Sequence, residues 1–489
     1  MQSWPLLSLL IWLPIVGGLA LLAGGESRPQ QARWLGLAVA LATFVASVYL
    51  YAGFDSSTAA LQFVERREWI GAISSWYHLG ADGISVALIV LTSFCTVLVL
   101  VGAWESIADR VHQYVACFLV LEGLMIGVFC ALDALLFYVF FEAMLIPMFI
   151  IIGVWGGPRR VYATLKFFIY TFVGSLFMLV ALLWVYLQTG VPAEALAQTG
   201  KHSFAWADLV AVQLTPMQAH WVLVGFFLAF AVKMPVFPFH TWQPDTYVTS
   251  PTAGTMLLSG IMLKMGAYGM IRWMIPLAPE AMHVLNPIFI SLAVFGILYA
   301  SIIAVKQSDL KRLVAYSSIA HVGLIAAGIL AWNKAGVQGG IIQMLNHGIN
   351  VVGLFFVVDL LERRLGTRSM ADMGGIAKSA PKFATLFMII VLGSVAVPLT
   401  NGFPGEFLLL NGVWNYNFWL GVLAGLTIIF GAVYMLRAYG LVIFGETKPE
   451  TANFEDVNSR EFLVLGIIAG LVIVLGFFPQ SILGLTDLS

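Results

Sequence analysis

The sequence predicts an all-α membrane protein with about fourteen transmembrane helices. Of its 489 residues, 60% are hydrophobic and 10% are charged, whereas a soluble domain is about a quarter charged. The apolar residues lie in long uncharged blocks, such as Ile84–Val101 and Phe462–Phe478. They do not alternate with polar residues as in the strands of an outer-membrane barrel. The bilayer is therefore the expected solvent, and helices are the expected elements.

A helix needs roughly 20 apolar residues to cross a hydrocarbon core about 30 Å thick. Fourteen blocks of the sequence meet this requirement. We place them near 5–24, 34–53, 83–103, 113–130, 132–152, 164–189, 217–239, 251–274, 284–305, 312–331, 336–361, 383–411, 418–440 and 461–484.

Two of these spans are predicted to be broken. In the seventh, Lys233 is followed by Pro235 and Pro238, and in the twelfth, Glu406 follows a cluster of helix breakers. The cluster consists of Pro398, Gly402, Pro404 and Gly405. Proline removes an amide donor, and irregular backbone at membrane depth is tolerated only where protein or water surrounds it. Ordinary proline kinks are the alternative interpretation.

The two breaks predict an internal repeat, because interrupted spans at corresponding places are typical of transporter units. Each unit would contain five spans, and an odd number inverts the second copy relative to the first. We therefore expect an N-terminal three-helix segment (1–112), a first repeat (113–274), a second repeat (275–440) and a C-terminal loop with the last helix (441–489).

The basic residues predict the orientation. Seventeen of the 24 Lys and Arg residues lie in or beside the odd-numbered connections, and five lie in the even-numbered ones. These five are Arg66, Arg67, Lys201, Arg272 and Lys334. Because basic residues are retained on the inner side, both termini are expected outside. The first span has no basic segment before it, so we expect an anchor and not a cleaved signal peptide.

Several ionisable residues fall inside the predicted spans, where a charge costs about 2.5–3.5 kcal/mol on insertion scales. They are Glu142, Lys233, Lys264, His321, His347 and Glu406, with Glu122 in the fourth span. Such residues usually face the protein interior, so we predict a polar line near the membrane midplane that carries protons. The alternative is that each is a buried ion pair or core histidine that only holds helices together.

We assign roles along this line from side-chain chemistry. Glu142 and Lys233 are the proposed pair, because a lysine whose carboxylate partner can move becomes a proton switch. Histidine can accept a proton on one ring nitrogen and donate from the other, which suits His321 and His347 to relay.

The sequence contains no ligand set for a redox centre. Its three cysteines, Cys95, Cys117 and Cys130, form no CxxC pair and have no histidine at metal-ligand spacing. Glycine-rich nucleotide motifs are also missing from it. We therefore expect no cofactor and no metal in this chain, and no nucleic-acid partner.

Three segments resemble the antiporter-like membrane subunits of proton-pumping NADH:quinone oxidoreductase, respiratory complex I. They are LDALLFYVFFEAMLIPMF (Leu132–Phe149), VKMPVFPFHTWQPDTYVTSPTAGTMLLSGIMLKMGAYG (Val232–Gly269) and SDLKRLVAYSSIAHVG (Ser308–Gly323). Within that family, the acidic Glu406 favours the branch with a carboxylate there over the sister branches, in which lysine is expected.

The resemblance implies fourteen helices in inverted repeats and a proton path on which the six residues above match the family's positions. It also implies neighbouring antiporter-like subunits in a bacterial inner membrane, and FMN, iron–sulfur clusters, NADH and quinone held by other subunits. Two alternatives stay open. One is a subunit of an Mrp-type cation/proton antiporter complex, and the other is a membrane scaffold whose buried charges only fix helix packing.

Overall fold

The computed structural model describes residues 4–24, 28–190 and 202–487. Lys201, one of the basic residues used to predict orientation, lies outside these ranges. Within them, twelve helices are long and apolar enough to cross a membrane. This confirms the multi-pass helical class, whereas the total of fourteen spans, the inverted repeat and the orientation stay predictions.

The N-terminal segment combines three spanning helices with a β-hairpin that the all-helical prediction missed. Its elements are α1 (Leu6–Ala23), α2 (Pro29–Ala52), β1 (Gln62–Ile70), β2 (Ser75–Ala81) and α3 (Gly83–Gly102). The two strands pair antiparallel. The hairpin is anchored to the start of the fifth predicted span, because the Asp133 carboxylate accepts the Trp76 amide at 2.8 Å. It lies between spans and leaves their order unchanged.

The next part of the chain contains four candidate spanning helices, one of them formed by two consecutive helices, and a helical run with two π turns. Its helices are α4 (Val111–Cys130), α5 (Ala134–Ala143), α6 (Leu145–Trp155), α7 (Arg160–Gln188), α8 (Trp206–Val210), α9 (Pro216–Lys233), α10 (Trp242–Thr249), α11 (Thr252–Leu257), α12 (Leu263–Gly269) and α13 (Ile275–Leu277). Two wide π-helical turns, Leu258–Met262 and Met270–Met274, separate α11, α12 and α13. The eighth predicted span is therefore one continuous helical run, residues 252–277, that contains two π turns.

The second part runs through α14 (Pro279–Lys306), α15 (Leu310–Leu330), α16 (Lys334–Leu365), α17 (Ile376–Ser379), α18 (Pro381–Ser394), α19 (Gly402–Tyr416) and α20 (Phe418–Ile443). The chain ends with α21 (Ser459–Phe477) and α22 (Gln480–Thr486). Its central element is α16, whose membrane-spanning stretch is entirely buried among neighbouring helices. The predicted domain limits lie near the ends of these elements, but the division into domains stays a prediction.

Both predicted breaks are present. In the first, α9 ends at Lys233 and the chain resumes as α10 at Trp242. The Trp242 indole N–H donates to the Val232 carbonyl at 2.8 Å, which satisfies one of the carbonyls that the interrupted helix leaves without an intrahelical partner. The predicted seventh span, 217–239, contained both α9 and the turn after it, and the helix α10 that follows the turn was not predicted.

In the second break, α18 ends at Ser394 and α19 begins at Gly402. Asparagines hold the intervening backbone: the Asn346 amide donates to the Asn401 carbonyl at 2.5 Å, and the Asn401 amide donates to Asn350 Oδ1 at 3.0 Å. These bonds supply partners where a helix would otherwise provide them, as buried irregular backbone requires. Glu406 thus lies near the start of a half-helix packed on α16.

Candidate functional site

Four of the six predicted site residues meet in a line between α12, α16, α15 and α19. Lys264 Nζ lies 2.8 Å from His347 Nδ1. The rings of His347 and His321 are 5.8 Å apart between centroids, and His321 Nδ1 is 3.2 Å from Glu406 Oε1. The last two atoms are close enough for an ion pair, although they are not aligned for a hydrogen bond. Residues from four different helices therefore form one continuous row.

The row is shielded from lipid and water. Lys264 is 1% exposed, Glu406 is 4%, His347 is 5% and His321 is 7%. Buried charges of this kind are stable only when they are paired or hydrogen-bonded. The arrangement meets this condition, since each member has a polar neighbour within the row.

The wide turn before Lys264 explains part of its position. Lys264 Nζ donates to the Ser259 carbonyl at 2.5 Å, and Ser259 lies within the π-helical turn Leu258–Met262. A π turn replaces the usual i→i+4 bonds and often marks a functional position. Here it places a backbone carbonyl where the ammonium group can bind it, so that Lys264 is held between Ser259 and His347.

A small polar cavity adjoins the two histidines. His321, His347, Ser318, Gln343 and Asn350 contribute to its lining, and it has room for about one water molecule. Ser318 Oγ lies 3.2 Å from His347 Nε2. The ring nitrogens of His347 thus face a lysine on one side and a hydroxyl on the other, which is the arrangement that a proton relay needs.

The other two predicted residues, Glu142 and Lys233, do not meet. They are near enough to interact electrostatically, but Lys233 Nζ has no hydrogen-bond partner and lies 4.7 Å from the centre of the Phe141 ring. The Glu142 carboxyl group contacts Ser175, and its Oε1 atom has no hydrogen-bond partner. The predicted pair is therefore separated, with an aromatic face next to the ammonium group.

The contact between α9 and α12 is apolar. A Cβ atom on Gly266 would lie 2.6 Å from Met234 Cγ, and one on Gly269 would lie 2.3 Å from the Phe230 ring. These glycines therefore allow the two helices to approach closely around hydrophobic side chains. Apolar packing between α9 and α12 therefore lies between Lys233 and the start of the row at Lys264, and no chain of hydrogen bonds among the described residues links them.

Sequence reasoning missed several polar residues at the site. Gln243 and Tyr247 on α10 are both 0% exposed, and Ser318 is 1% exposed. Gln243 and Tyr247 could have been found in the sequence, because polar residues spaced four apart directly after a predicted break lie on one face of the next helix. Glu122, which was left without a role, is buried with both carboxyl oxygens unpartnered and lies outside the row.

The described residues offer no group of three or more His, Cys, Asp and Glu side chains that could hold a metal ion. Cys95, Cys117 and Cys130 are buried free thiols.

Known proteins resemble this chain over its full length. The family described as NADH:quinone oxidoreductase/Mrp antiporter transmembrane subunits matches residues 131–431. The chain is 43% identical to NADH-quinone oxidoreductase subunit M of Rickettsia conorii, covering 100% of this chain and 98% of that protein. It is 40% identical to NADH-ubiquinone oxidoreductase chain 4 of Arabidopsis thaliana, covering 98% and 94%.

A solved structure agrees with these relatives. A chain of respiratory complex I from Thermus thermophilus with bound NADH superposes with a TM-score of 0.89 at 32% identity, covering 99% of this chain and 98% of that one. The resemblance predicted from the three motifs is thus confirmed, including the branch that Glu406 favoured. The chain belongs to the antiporter-like membrane subunits of NADH-quinone oxidoreductase, in the subunit M branch.

Proposed function

We propose that this chain translocates protons as the subunit M component of NADH:quinone oxidoreductase. The observation that carries this proposal is the buried row from Lys264 through His347 and His321 to Glu406. Each member can gain or lose a proton, and the members lie at contact distance or across one small cavity. A packing scaffold would not need four titratable groups in sequence.

The row supports a stepwise transfer. Lys264 gives a proton to His347 Nδ1, the cavity between the rings lets a proton cross to His321, and His321 Nδ1 hands it to Glu406. Glu406 then releases the proton to the outer side. Because histidine can protonate on one nitrogen and deprotonate on the other, each ring can pass a proton on and reset by rotation or by exchange with water.

Glu142 and Lys233 supply the control of this transfer. Redox energy from the rest of the complex changes the separation of the two side chains, and the proton affinity of Lys233 changes with it, since a nearby carboxylate favours the ammonium form. When the carboxylate moves away, Lys233 passes its proton towards Lys264. The apolar contact between α9 and α12 blocks this step until water or a side-chain movement bridges it.

The remaining parts of the proposal concern partners and location. Other subunits of the complex hold FMN, the iron–sulfur clusters, NADH and quinone, and neighbouring antiporter-like subunits and lipid cover the apolar faces of this chain. The proposed location is the bacterial inner membrane with both termini on the outer side, which the distribution of basic residues supports.

An Mrp-type cation/proton antiporter subunit is the second candidate, because the matching family contains both kinds of protein. The full-length relatives are NADH-quinone oxidoreductase subunits, which makes the antiporter the weaker candidate. Copurification separates the two: flavin- and cluster-bearing subunits accompany this chain in the first case, and sodium-dependent transport without NADH oxidation identifies the second.

Glutamine substitutions test the proposed function in membrane vesicles that contain the intact complex. Glu142→Gln and Glu406→Gln keep side-chain size and remove the titratable group, so NADH-driven proton uptake and quinone reduction should fall about tenfold or more. Glu280→Gln is the matched control, since Glu280 is exposed at the start of α14. Unchanged pumping in both of the first two variants, with normal assembly, would refute the proposal.

A further inference from the structure

A second polar feature reaches the row from the side on which the basic connections lie. A cavity of about 490 Å³ opens between the loops around residues 155–159 and 248–252 and the ends of α15 and α16. Its charged lining residues are Arg159, Lys311, Glu362 and Arg368. Charges of both signs around a cavity of this size favour a hydrated entrance over an apolar binding pocket.

Lys311 forms the floor of this entrance. Its side chain is 2% exposed, and Nζ donates to the Ser250 carbonyl at 2.9 Å. Arg368 closes the same end, because Nη1 donates to the Val248 carbonyl at 3.1 Å and lies 3.5 Å from Glu362 Oε1. The floor is therefore built from the end of α10 and the start of α15, and both elements continue inward towards the row.

Along α10, polar side chains continue inward from the floor. Gln243, Thr246 and Tyr247 are each 0% exposed. The Tyr247 hydroxyl group and both amide atoms of Gln243 have no aligned hydrogen-bond partner. Buried polar groups without partners are rare in native structures, so each calls for an explanation such as an ordered water or a functional role.

Tyr247 is held so that its hydroxyl faces α15. Its carbonyl accepts the Thr255 hydroxyl at 2.9 Å, and its ring packs edge-on against Phe355 with centroids 5.7 Å apart. The hydroxyl lies beside Gln243 and Ser318. Tyr247 therefore extends from the element that forms the floor to the hydroxyl that contacts His347.

The same path can be followed along α15. Lys311 and Ser318 are seven residues apart, which places them on one face of the helix with a separation of about 10 Å along its axis. Ser318 Oγ lies 3.2 Å from His347 Nε2. The tyrosine hydroxyl thus lies near the inner end of a two-turn interval between the entrance and the row.

We propose that Tyr247, together with Ser318, relays protons from the cavity at Lys311 to His347, so that the row is filled at its middle from the basic side of the membrane domain. This inference rests on the proposed function and adds an entrance to it. It also explains why α10 carries buried polar groups that lack partners.

The transfer conserves protons and charge at both hydroxyl groups. His347, with Nε2 unprotonated, accepts the Ser318 hydroxyl proton. Ser318 takes the hydroxyl proton of Tyr247, and Tyr247 takes a proton that water carries from the cavity or from the Lys311 ammonium group across the interval of about 10 Å. Each hydroxyl ends with the number of protons with which it began, and one positive charge has moved from the entrance to the imidazole ring.

Tyr247→Phe tests the relay in the intact complex, because it keeps the ring and its contact with Phe355 and removes only the hydroxyl. Quinone reduction and proton uptake per assembled complex should fall about tenfold, the size expected when a proton-transfer group is lost and water replaces it in part. The rate ratio between H₂O and D₂O should rise, since proton delivery becomes the slow step. Ser318→Ala should produce the same two changes.

Tyr114→Phe is the matched control. Tyr114 is also a buried tyrosine whose hydroxyl has no hydrogen-bond partner. It lies on α4 and packs against Trp155 at the rim of the cavity, so it shares the surroundings of the entrance but not the proposed path. Two results would overturn the inference: Tyr247→Phe loses no more turnover than Tyr114→Phe, or it loses turnover with an unchanged H₂O/D₂O rate ratio. Either result would mean that Tyr247 has only a packing role.

The two proposals fail in different ways. Normal turnover and isotope ratio in Tyr247→Phe, together with inactive Glu406→Gln, would refute this entrance and leave proton translocation standing. Normal turnover in both variants would refute the proposed function itself.

Discussion

The separated pair, Glu142 and Lys233, differs in arrangement from the row that begins at Lys264. In the pair, the two side chains do not meet, and Lys233 Nζ faces the Phe141 ring without a hydrogen-bond partner. In the row, Lys264 is linked to Glu406 through two histidines by residues from four helices.

This difference indicates a division of work. A row of contacts can conduct protons without large movement, whereas a separated pair can change its interaction strongly when either side chain moves. Coulomb energy depends steeply on separation where water is excluded. The separated pair is therefore suited to switching and the row to conduction.

The largest effect is expected when the two lysines are compared. Lys233→Met should abolish most proton pumping and leave the amount of assembled complex unchanged, because Lys233 has no bonded partner to lose. Lys264→Met should reduce both proton pumping and the amount of assembled complex, because Lys264 bonds to Ser259 and His347. Removing a partner from a buried polar group costs about 1–3 kcal/mol. Native gels and dye-quenching assays measure the two quantities.

The comparison fails if both lysine variants lower assembly equally. In that case Lys233 would contribute to the stability of the complex through bonded partners, and the separated Glu142–Lys233 pair would not be the switch.

An intermediate effect is expected at the break beside Glu406. A Cβ atom on Gly402 would lie 2.2 Å from the Gly393 carbonyl oxygen, a backbone atom that cannot move aside easily. Gly402→Ala should therefore displace α19 from α18 and cost about 1–3 kcal/mol, as overpacking usually does. A lower melting temperature of the complex and slower pumping would register this change.

Gly425→Ala provides the control for the break, because a Cβ atom there would meet no atom within 4 Å. If the two glycine variants behave alike, the close approach of the half-helices does not position Glu406.

The smallest effect is expected at the chain end. Lys334 lies 3.0 Å from Asp487, and this ammonium group holds the pKa of the Asp487 carboxyl below its usual value. A lowered carboxyl pKa favours the folded state at neutral pH, and the contribution disappears as the pH falls below the usual aspartate value of 3.8. Because the pair is exposed, Lys334→Ala should change turnover and melting temperature very little at pH 7.

A clear loss of pumping in Lys334→Ala would contradict this expectation. It would mean that charge at the surface is coupled to the row, and the contrast between buried and exposed lysines would no longer hold.

The positions of the continuous spans followed closely from the sequence. The predicted block 113–130 corresponds to α4, Val111–Cys130, and 34–53 corresponds to α2, Pro29–Ala52. The interrupted spans were located less well, because an apolar block has the same composition on both sides of a break. The predicted span 383–411 therefore contained both α18 and α19.

The site was predicted in its residues and only partly in its contacts. Lys264 and His347 are 83 positions apart in the chain, and their bond depends on how α12 and α16 are rotated against each other. A π turn adds a residue to a helical turn and redirects the side chains after it by about 100°. The turn Leu258–Met262 stands directly before Lys264, and no periodicity in the sequence predicted it.

By itself the sequence determined that this protein lies in a membrane, where its long helices run and which ionisable residues must be shielded from lipid. These properties follow from transfer free energies, which depend on residue type and on the length of apolar blocks. Only the tertiary structure decided that Lys264, the two histidines and Glu406 lie in one row while Glu142 and Lys233 remain separated. Contacts at 3 Å depend on helix rotation, on breaks and on glycines that let helices approach, and these are set by packing against residues far away in the chain.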